Sequence, residues 1–539
     1  MDALIQSARD WSGARGLPLD GDDLPDLAMA VAGLAATLQE EAAQLAMTEV
    51  AAPFGQVLCS LAPEPWPDAP APADAPARRG SEAWVRDCLA QIERSAPGRL
   101  AWVDIDADAA LAQARQRDEE YRQGGPCGPL HGMPVGIKDM FDRKGRVAGW
   151  GTRLRDGSAP AGADSAVVAR LRAAGAVVLG AQHMAEFAMS PTGWNATLGP
   201  GRNPWDIDRV SGGSSSGAAM SVAAGHVPLA IGSDTGGSVR LPASLCGLTG
   251  LKPTQHRISV AGAMPLSPSL DCIGPLAWSA ELCGHAYRAL AGADAADLSC
   301  VDAPATLGDA PRALRVAVPR WRDDDLMSAD MRRALDEAVR ALRDAGVECH
   351  PVASPYPLLQ RAGQLASIVL AVEAAAMHRR WLHEHGDDYG HQVRRRIARG
   401  LLVSGADYCN ALRLREPFLR HYLDAVQGGA DALLLPCTPD VAPRVDDTHG
   451  SDQARLEREF ALLSSWTRGI NYLGLPVLTL PAGAGAGGLP LGMQLVGPPL
   501  GEDRVLALGR LFQRTTTWHA RRPAPGMQTG GSTAATEAT

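Results

Sequence analysis

Two serine- and glycine-rich segments hold the residue types in this chain best suited to covalent chemistry. The first, Ser211-Gly-Gly-Ser-Ser-Ser-Gly217, runs directly into the small-residue stretch AAMSVAAG. By itself a Gly/Ser run reads as a flexible linker or a helix entry. Placed against a helix, it turns backbone N–H groups toward whatever the serines hold. No Gly-Lys-Ser/Thr follows, which excludes a phosphate-cradling P-loop. The run also contains Gly213-Ser-Ser215-Ser-Gly217, a formal match to the G-x-S-x-G nucleophile elbow. An elbow needs a strand immediately before it, and the preceding GPGRNPWDIDRV has the composition of a loop, which weighs against Ser215.

The second segment is Ile231-Gly-Ser-Asp-Thr-Gly-Gly-Ser238-Val-Arg-Leu-Pro-Ala243. A strand is expected to enter Asp234. Two glycines then allow a turn in which successive N–H groups point at one spot, as an anion-binding nest requires. A developing oxyanion needs such a nest, and Ser238 stands at its edge. In isolation, Gly-Gly-Ser would be an ordinary strand-to-loop turn.

A third feature is a scarce residue type. Of 51 basic residues only Lys138, Lys144 and Lys252 are lysine. A lysine can lose its proton and act as a base, which arginine cannot. Lys138 ends the apolar run Met133–Lys138, where burial beside Val135 and Ile137 would lower its pKa from the reference of about 10.4.

Taken together, Gly212-Gly-Ser-Ser-Ser-Gly217, Asp234-Thr-Gly-Gly-Ser-Val-Arg-Leu-Pro242 and Gly132-Met-Pro-Val-Gly-Ile-Lys138-Asp139 closely resemble the amidase-signature family. Gly247-Leu-Thr-Gly-Leu-Lys-Pro-Thr254, Asn471-Tyr-Leu-Gly-Leu-Pro476, Pro481-Ala-Gly483 and Gly492-Met-Gln-Leu-Val-Gly-Pro498 extend the likeness, which covers roughly residues 81–520. Ser216 is a departure, standing where many members have glycine. The resemblance implies that Ser238 is the nucleophile of an acyl-enzyme. Ser214, held by a cis peptide bond, would relay the proton to Lys138. Backbone of Thr235, Gly236, Gly237 and Ser238 would form the oxyanion hole, with Ser214 beside it. Glu186–Trp194 would line the acyl pocket, with Ala188, Met189 and Ser190 nearest the chemistry. Arg240 and Lys252 read as residues that tie the surrounding loops together. The implied fold is α/β, a large mostly parallel mixed sheet covered by helices on both faces, with an N-terminal helical appendage. The implied activity is hydrolysis of an amide-type C–N bond in a carboxylic amide, anilide, urea or biuret-like substrate. The alternative is the glutaminase component of a multi-component amidotransferase, its A subunit, passing ammonia to a partner. A weaker likeness to the carboxybiuret-hydrolase branch lies in Leu241–Gly247, Ser269–Pro275 and Asp294–Cys300. The helical N-terminus is similar in style to the small C subunit of tRNA-dependent amidotransferases.

The elements that must position these residues follow from periodicity. Strands are expected at Met133–Lys138, Ala176–Leu179, Leu229–Ser233, Leu314–Val318, Ala432–Leu435, Val477–Leu480 and Met493–Val496, with helices between several of them. Ser165–Ala174 should be a helix closed by Gly175, and Met331–Leu342 another closed by Gly346. Near the N-terminus Leu27, Val31, Leu34, Leu38, Ala42 and Leu45 form one apolar stripe, expected to dock on the chain's own core, with a homodimer through these helices as the alternative. The expected division is residues 1–60 helical, 61–80 a Pro/Ala-rich linker, 81–525 the catalytic domain and 526–539 a disordered tail.

A net charge of −9 without long basic runs argues against nucleic acid or anionic lipid as partner, leaving a small-molecule amide. Neither a secretory signal nor a membrane-spanning run is evident, so a cytoplasmic protein is expected. Ten scattered cysteines without a C-x-x-C pair, and thirteen histidines without metal spacing, imply no metal and no cofactor. The competing serine assignments separate cleanly: Ser238→Ala should abolish turnover of an amide substrate while Ser215→Ala keeps measurable activity. The reverse result would favour the elbow.

Overall fold

The computed structural model describes residue 6 and residues 23–43, 45, 53–64, 80–95, 100–307, 312–450 and 452–524. Most of the expected linker and the expected tail lie outside these residues. At the centre is an eleven-stranded sheet. Its strands are β1 Trp102–Ile105, β2 Pro134–Lys138, β3 Val177–Gln182, β6 Leu229–Ser233, β7 Thr249–Lys252, β8 Ile273–Ala277, β9 Arg315–Pro319, β10 Glu348–Val352, β11 Ala432–Pro436, β12 Val477–Ala484 and β13 Pro490–Val496. A separate two-stranded ribbon pairs β4, Arg202–Asn203, with β5, Asp206–Val210. Across the large sheet the order is β1-β3-β2-β6-β8-β7-β12-β13-β11-β9-β10.

Alternation within the strands shows why helices cover both faces. In β11, Ala432 and Leu434 join one apolar cluster while Leu433 and Leu435 join another. In β12, Val477 belongs to the second cluster, and Leu478 and Leu480 to the first. Side chains that are apolar in both directions need a helical layer on each side. On one face these include Ala280–Leu290, Ala329–Asp344 and Glu502–Thr515; on the other, Tyr356–His385, Arg415–Tyr422 and Arg468–Leu473.

The sheet is mixed and the class is α/β, as the resemblance implies, but it is less parallel than expected. Of its ten neighbouring pairs, only β3–β2, β2–β6, β11–β9 and β9–β10 are parallel, and the other six are antiparallel. The middle of the sheet is responsible: β12 and β13 are joined by a tight connection and must run antiparallel, and β7 and β8 insert between β6 and β12 in the same sense. The parallel portions are the ones a helix bridges.

The N-terminal stripe is docked. Helix Asp23–Ala42 lies against Tyr356–His385 and Gly405–Arg413, burying Leu27, Ala28, Val31 and Leu38. Asp26 pairs with Arg395 at 3.4 Å and Glu41 with Arg361 at 3.1 Å. The short helix Phe54–Ser60 buries Val57 and Leu58, and the Arg415 guanidinium sits 3.5 Å from the Phe54 ring centre. Because the stripe is covered by the chain itself, it gives no ground for a homodimer. None of the described helices is long and apolar enough to cross a membrane. Leu58 is wholly buried at this junction, so Leu58→Ala should cost about 2–5 kcal/mol. The measurement is the urea midpoint; an unchanged midpoint would mean that the segment is not docked in solution.

Candidate active site

Two parallel neighbours, β2 and β6, end side by side, and their last residues are Lys138 and Ser233. The carboxyl ends of adjacent parallel strands are where an α/β sheet leaves a crevice. Lys138 is fully buried there, its Nζ 2.7 Å from Ser214 Oγ and 2.8 Å from Ser233 Oγ. Burial drives its pKa down to about 7, although the nearby carboxylates of Asp271 and Asp234 pull it back up. Charged, the group donates to both hydroxyls. Neutral, it retains N–H bonds for one and offers a lone pair to the proton of the other.

Ser214 leads into helix Ser216–Ala223, and the Gly213–Ser214 peptide bond is cis. Its neighbour Ser215 faces elsewhere. Ser215 Oγ accepts from Ser233 N at 3.2 Å and donates to Ser233 O at 3.1 Å, so this hydroxyl stitches the helix entry to the end of β6. The composition-based reading of the preceding segment as loop is corrected, because β5 is a strand. The elbow still fails, since Ser215 is buried and spent on backbone.

The segment after β6 wraps around one carboxylate. Asp234 accepts from Gly237 N at 2.8 Å, Val239 N at 3.1 Å and both Nε and Nη2 of Arg240 at 3.0 Å. Burial alone would raise this carboxyl, but the charge and hydrogen bonds of Arg240, with Lys252 and Asn471, hold it well below the usual range. Asn471 Nδ2 donates to Asp234 Oδ1 at 2.8 Å and to Asp234 O at 3.0 Å, and Arg240 also reaches Gln494 Oε1 at 2.8 Å and the side chain of Asn471. Arg240 therefore ties the loop from behind. Lys252 is likewise internal, donating to Pro253 O at 3.0 Å.

This wrapping decides which N–H groups remain free. Gly237 N is taken by Asp234, so Gly237 is not available as an oxyanion donor and serves the turn instead. Its φ is +130°, and a Cβ there would lie 2.5 Å from Thr467 Oγ1. The N–H groups of Thr235, Gly236 and Ser238 donate to no acceptor among the described residues. Thr467 Oγ1 donates to Gly236 O at 2.7 Å and Thr235 Oγ1 to Asp271 Oδ1 at 2.5 Å, fixing both peptides. Burial pushes Asp271 up to about 6 against its hydrogen bonds from Thr235, Leu266 N and Ser267 N.

Ala188, Met189 and Ser190 line one cavity of about 40 Å³ together with Thr235, Gly236, Ser238, Leu370, Arg396, Ser464 and Arg468. Their loop is held at both ends. Glu186 accepts from Thr152 Oγ1 at 3.0 Å and from Gly390 N at 2.9 Å, and Arg396 donates to Met189 O. Phe187 and Ala188 both have positive φ, 47° and 59°, a conformation that the packing of Phe187 against His378 and Tyr389 secures. A larger cavity of about 210 Å³ shares Met189 and Ser190 and is walled by Trp194, His391 and His449. Elsewhere, Glu120, Cys127 and His131 offer three ligand atoms within 4.8 Å of one another. Arg117 already donates to Glu120 at 2.6 Å, placing a guanidinium where a cation would sit.

Sequence reasoning missed Ser233, Asp271, Thr467, Arg396 and Arg468. Ser233 carried the best signal, standing at the end of a predicted strand whose neighbour ends in lysine.

The family sequence model described as Amidase matches residues 83–506. The chain belongs to the amidase family. It is 37% identical over 461 residues to the glutamyl-tRNA(Gln) amidotransferase A subunit from Roseiflexus castenholzii, covering 81% of this chain and 92% of that one. Among solved structures, a chain from a vestigial protein complex bearing on the origins of an s-triazine catabolic enzyme superposes with TM-score 0.73. That chain is 32% identical, over 81% of this chain and 96% of its own length. 6-Aminohexanoate cyclic dimer hydrolase, solved with substrate, gives TM-score 0.73 at 25% identity, over 84% and 96%. These findings support action on an amide C–N bond in this amidase.

The Asp234–Arg240 pair is wholly buried, so Arg240→Met strands a carboxylate inside the loop and should destabilise by about 3–5 kcal/mol. Denaturation at neutral pH measures it. Loss of less than about 1 kcal/mol would show that the pair is not what holds the loop.

Proposed function

We propose that this amidase cleaves a small amide-type substrate through an acyl-enzyme, with Ser238 as nucleophile, Ser214 as proton relay and Lys138 as base. The observation that carries this reading is a buried amine, poised near neutrality, within hydrogen-bond distance of Ser214 Oγ. As Ser238 Oγ attacks the carbonyl carbon, its proton moves to Ser214 and the Ser214 proton to Lys138. The oxyanion that forms is received by the free N–H groups of Thr235, Gly236 and Ser238. Lys138 then returns a proton through Ser214 to the departing nitrogen, which leaves as amine or ammonia. Water repeats the sequence on the acyl-enzyme and releases the acid.

The second reading is that the chain is an amidotransferase A subunit whose ammonia passes to a partner. It is favoured by the curated relatives, which carry that name. Ammonia release by the purified chain alone, from simple amides, separates the two: a chain silent until partner subunits are added supports the second.

Lys138→Arg tests basicity apart from charge. Arginine keeps the positive charge but cannot accept the proton, so this variant should be nearly as inactive as Lys138→Ala in single-turnover acylation. For the wild type, protonation silences the base as pH falls through about 7, so kcat/KM should rise with pH across that value and level off above it. An arginine variant retaining a large share of wild-type acylation would overturn the Ser–Ser–Lys assignment.

A further inference from the structure

Two carboxylates act on Lys138, and they are held in different ways. Asp234 is ion-paired with Arg240 at 3.0 Å. Asp271 meets only neutral donors among the described residues: Thr235 Oγ1 at 2.5 Å, Leu266 N at 2.9 Å and Ser267 N at 3.0 Å. Behind it stands Glu373, a buried carboxylate that likewise accepts from neutral groups: Ser267 Oγ at 2.6 Å, Tyr408 OH at 2.8 Å, Ser269 N at 3.1 Å and the Ser269 hydroxyl. Ser267 joins the pair, giving its N–H to Asp271 and its hydroxyl to Glu373. Arg415 acts on Glu373 only at longer range, its own donors going to Tyr472 O, Ser269 O and Gln255 Oε1. A carboxylate with no ion pair keeps its field for whatever cation is near, and for Asp271 that cation is Lys138.

Asp271 also has a mechanical hold on the oxyanion nest. Asp234 and Cys272 exchange backbone hydrogen bonds of 2.7 and 3.2 Å, continuing the antiparallel register of β6 and β8 and bringing Asp271 beside Thr235. The peptide that carries the Thr235 N–H is fixed at its carbonyl, Asp234 O, by Cys272 N and by Asn471 Nδ2. Its other anchor is the Thr235 hydroxyl, which Asp271 holds. Thr235 lines the cavity with Ser238, so turning this residue would aim its free N–H away from the reacting position.

Building on the acyl-enzyme reading above, we propose that Asp271 is a positioning residue for the reaction, orienting the Thr235 N–H in the oxyanion nest and supporting Lys138 with its charge, and that Glu373 acts through it by holding Ser267. Orientation passes through the Thr235 hydroxyl and the field does not, so substitutions at the two ends of this one contact separate them.

Methanesulfonyl fluoride reads both without requiring the natural substrate. Ser238 Oγ attacks sulfur, the S–F bond breaks, fluoride leaves, and the hydroxyl proton passes through Ser214 to Lys138. Labelling of Ser238 is followed by mass spectrometry over a pH series. Thr235→Val should slow the maximal labelling rate about tenfold, less than the roughly 100- to 1,000-fold of deleting an oxyanion donor, with little change in reagent affinity. Thr235→Ser should recover most of that loss, and both variants should keep the wild-type acid limb. Asp271→Asn should slow labelling as well and also move the acid limb to lower pH by about half a unit or more, because Lys138 loses a charge that raises its pKa. Glu373→Gln should slow labelling on its own but add little to Asp271→Asn, as expected of a residue acting through another. Should Asp271→Asn fail to fold, the valine and serine variants still decide whether the contact orients the nest. Wild-type rates in Thr235→Val and Asp271→Asn, or an acid limb that stays in place in a folded Asp271→Asn, would overturn the inference and leave the amidase reading intact. Absence of label on Ser238 in the wild type would sink the proposed reaction and the inference with it.

Discussion

Everything at the centre of this molecule depends on burying one amine. Lys138 has no exposed surface, and an ammonium in that position loses hydration that two hydroxyls replace only in part. The ends of two parallel strands hold the group in place. The result is a base near neutrality in a chain whose other basic residues are almost all arginine, a side chain that cannot be tuned in this way. Asp271 and Asp234 set the limit: without their opposing fields the amine would fall further and become a weaker base.

The same economy governs the loop that carries Ser238. A turn with several inward N–H groups is unstable without acceptors, and Asp234 supplies one for Gly237, Val239 and Arg240 while leaving Thr235, Gly236 and Ser238 unengaged. One buried carboxylate therefore both shapes the nest and determines which donors it offers. Arg240, Asn471 and Gln494 hold that carboxylate in turn, and they come from a short helix, a second helix and β13. The rigidity of the nest is thus a property of the sheet and its covering helices, beyond the local sequence.

How much of this could be read from the sequence divides along the same line. Strands that are apolar throughout, such as Leu229–Ser233 and Ala432–Pro436, were legible within a residue because burial on both faces demands apolar residues at every position. β7 and β8 were not, because Thr249-Gly-Leu-Lys252 and Ile273-Gly-Pro-Leu-Ala277 carry glycine or proline that normally argues against a strand interior. Missing them made the sheet look more parallel than it is. At the site, Lys138, Ser214 and Ser238 stood out by scarcity and by motif. Gly237 was misassigned as a donor because only the structure reveals that Asp234 folds back onto it.

The proposed catalytic groups and the cavity wall beside them are encoded differently. Lys138, Ser214 and Ser238 lie in continuous segments whose spacing is fixed by strand ends, a helix entry and a tight turn, so their pattern survives in one dimension. The cavity's charged wall comes from helix His391–Ala398 and from Arg468, more than two hundred residues from Lys138 in the chain. With 51 basic residues and nearly all of them arginine, neither position stands out by type. That both line one cavity with Ser238 is visible only in the packing. Helix Tyr356–His385 links this wall to the rest of the fold: it contributes Leu370 to the cavity, its Ser367 receives Arg468, and its Glu373 holds Ser267 and Ser269 beside Asp271. The N-terminal helix docks on that same long helix and pairs through Asp26 with Arg395, next to Arg396. One long helix thus carries part of the cavity wall and is itself packed by a segment that lies before the family's matched region.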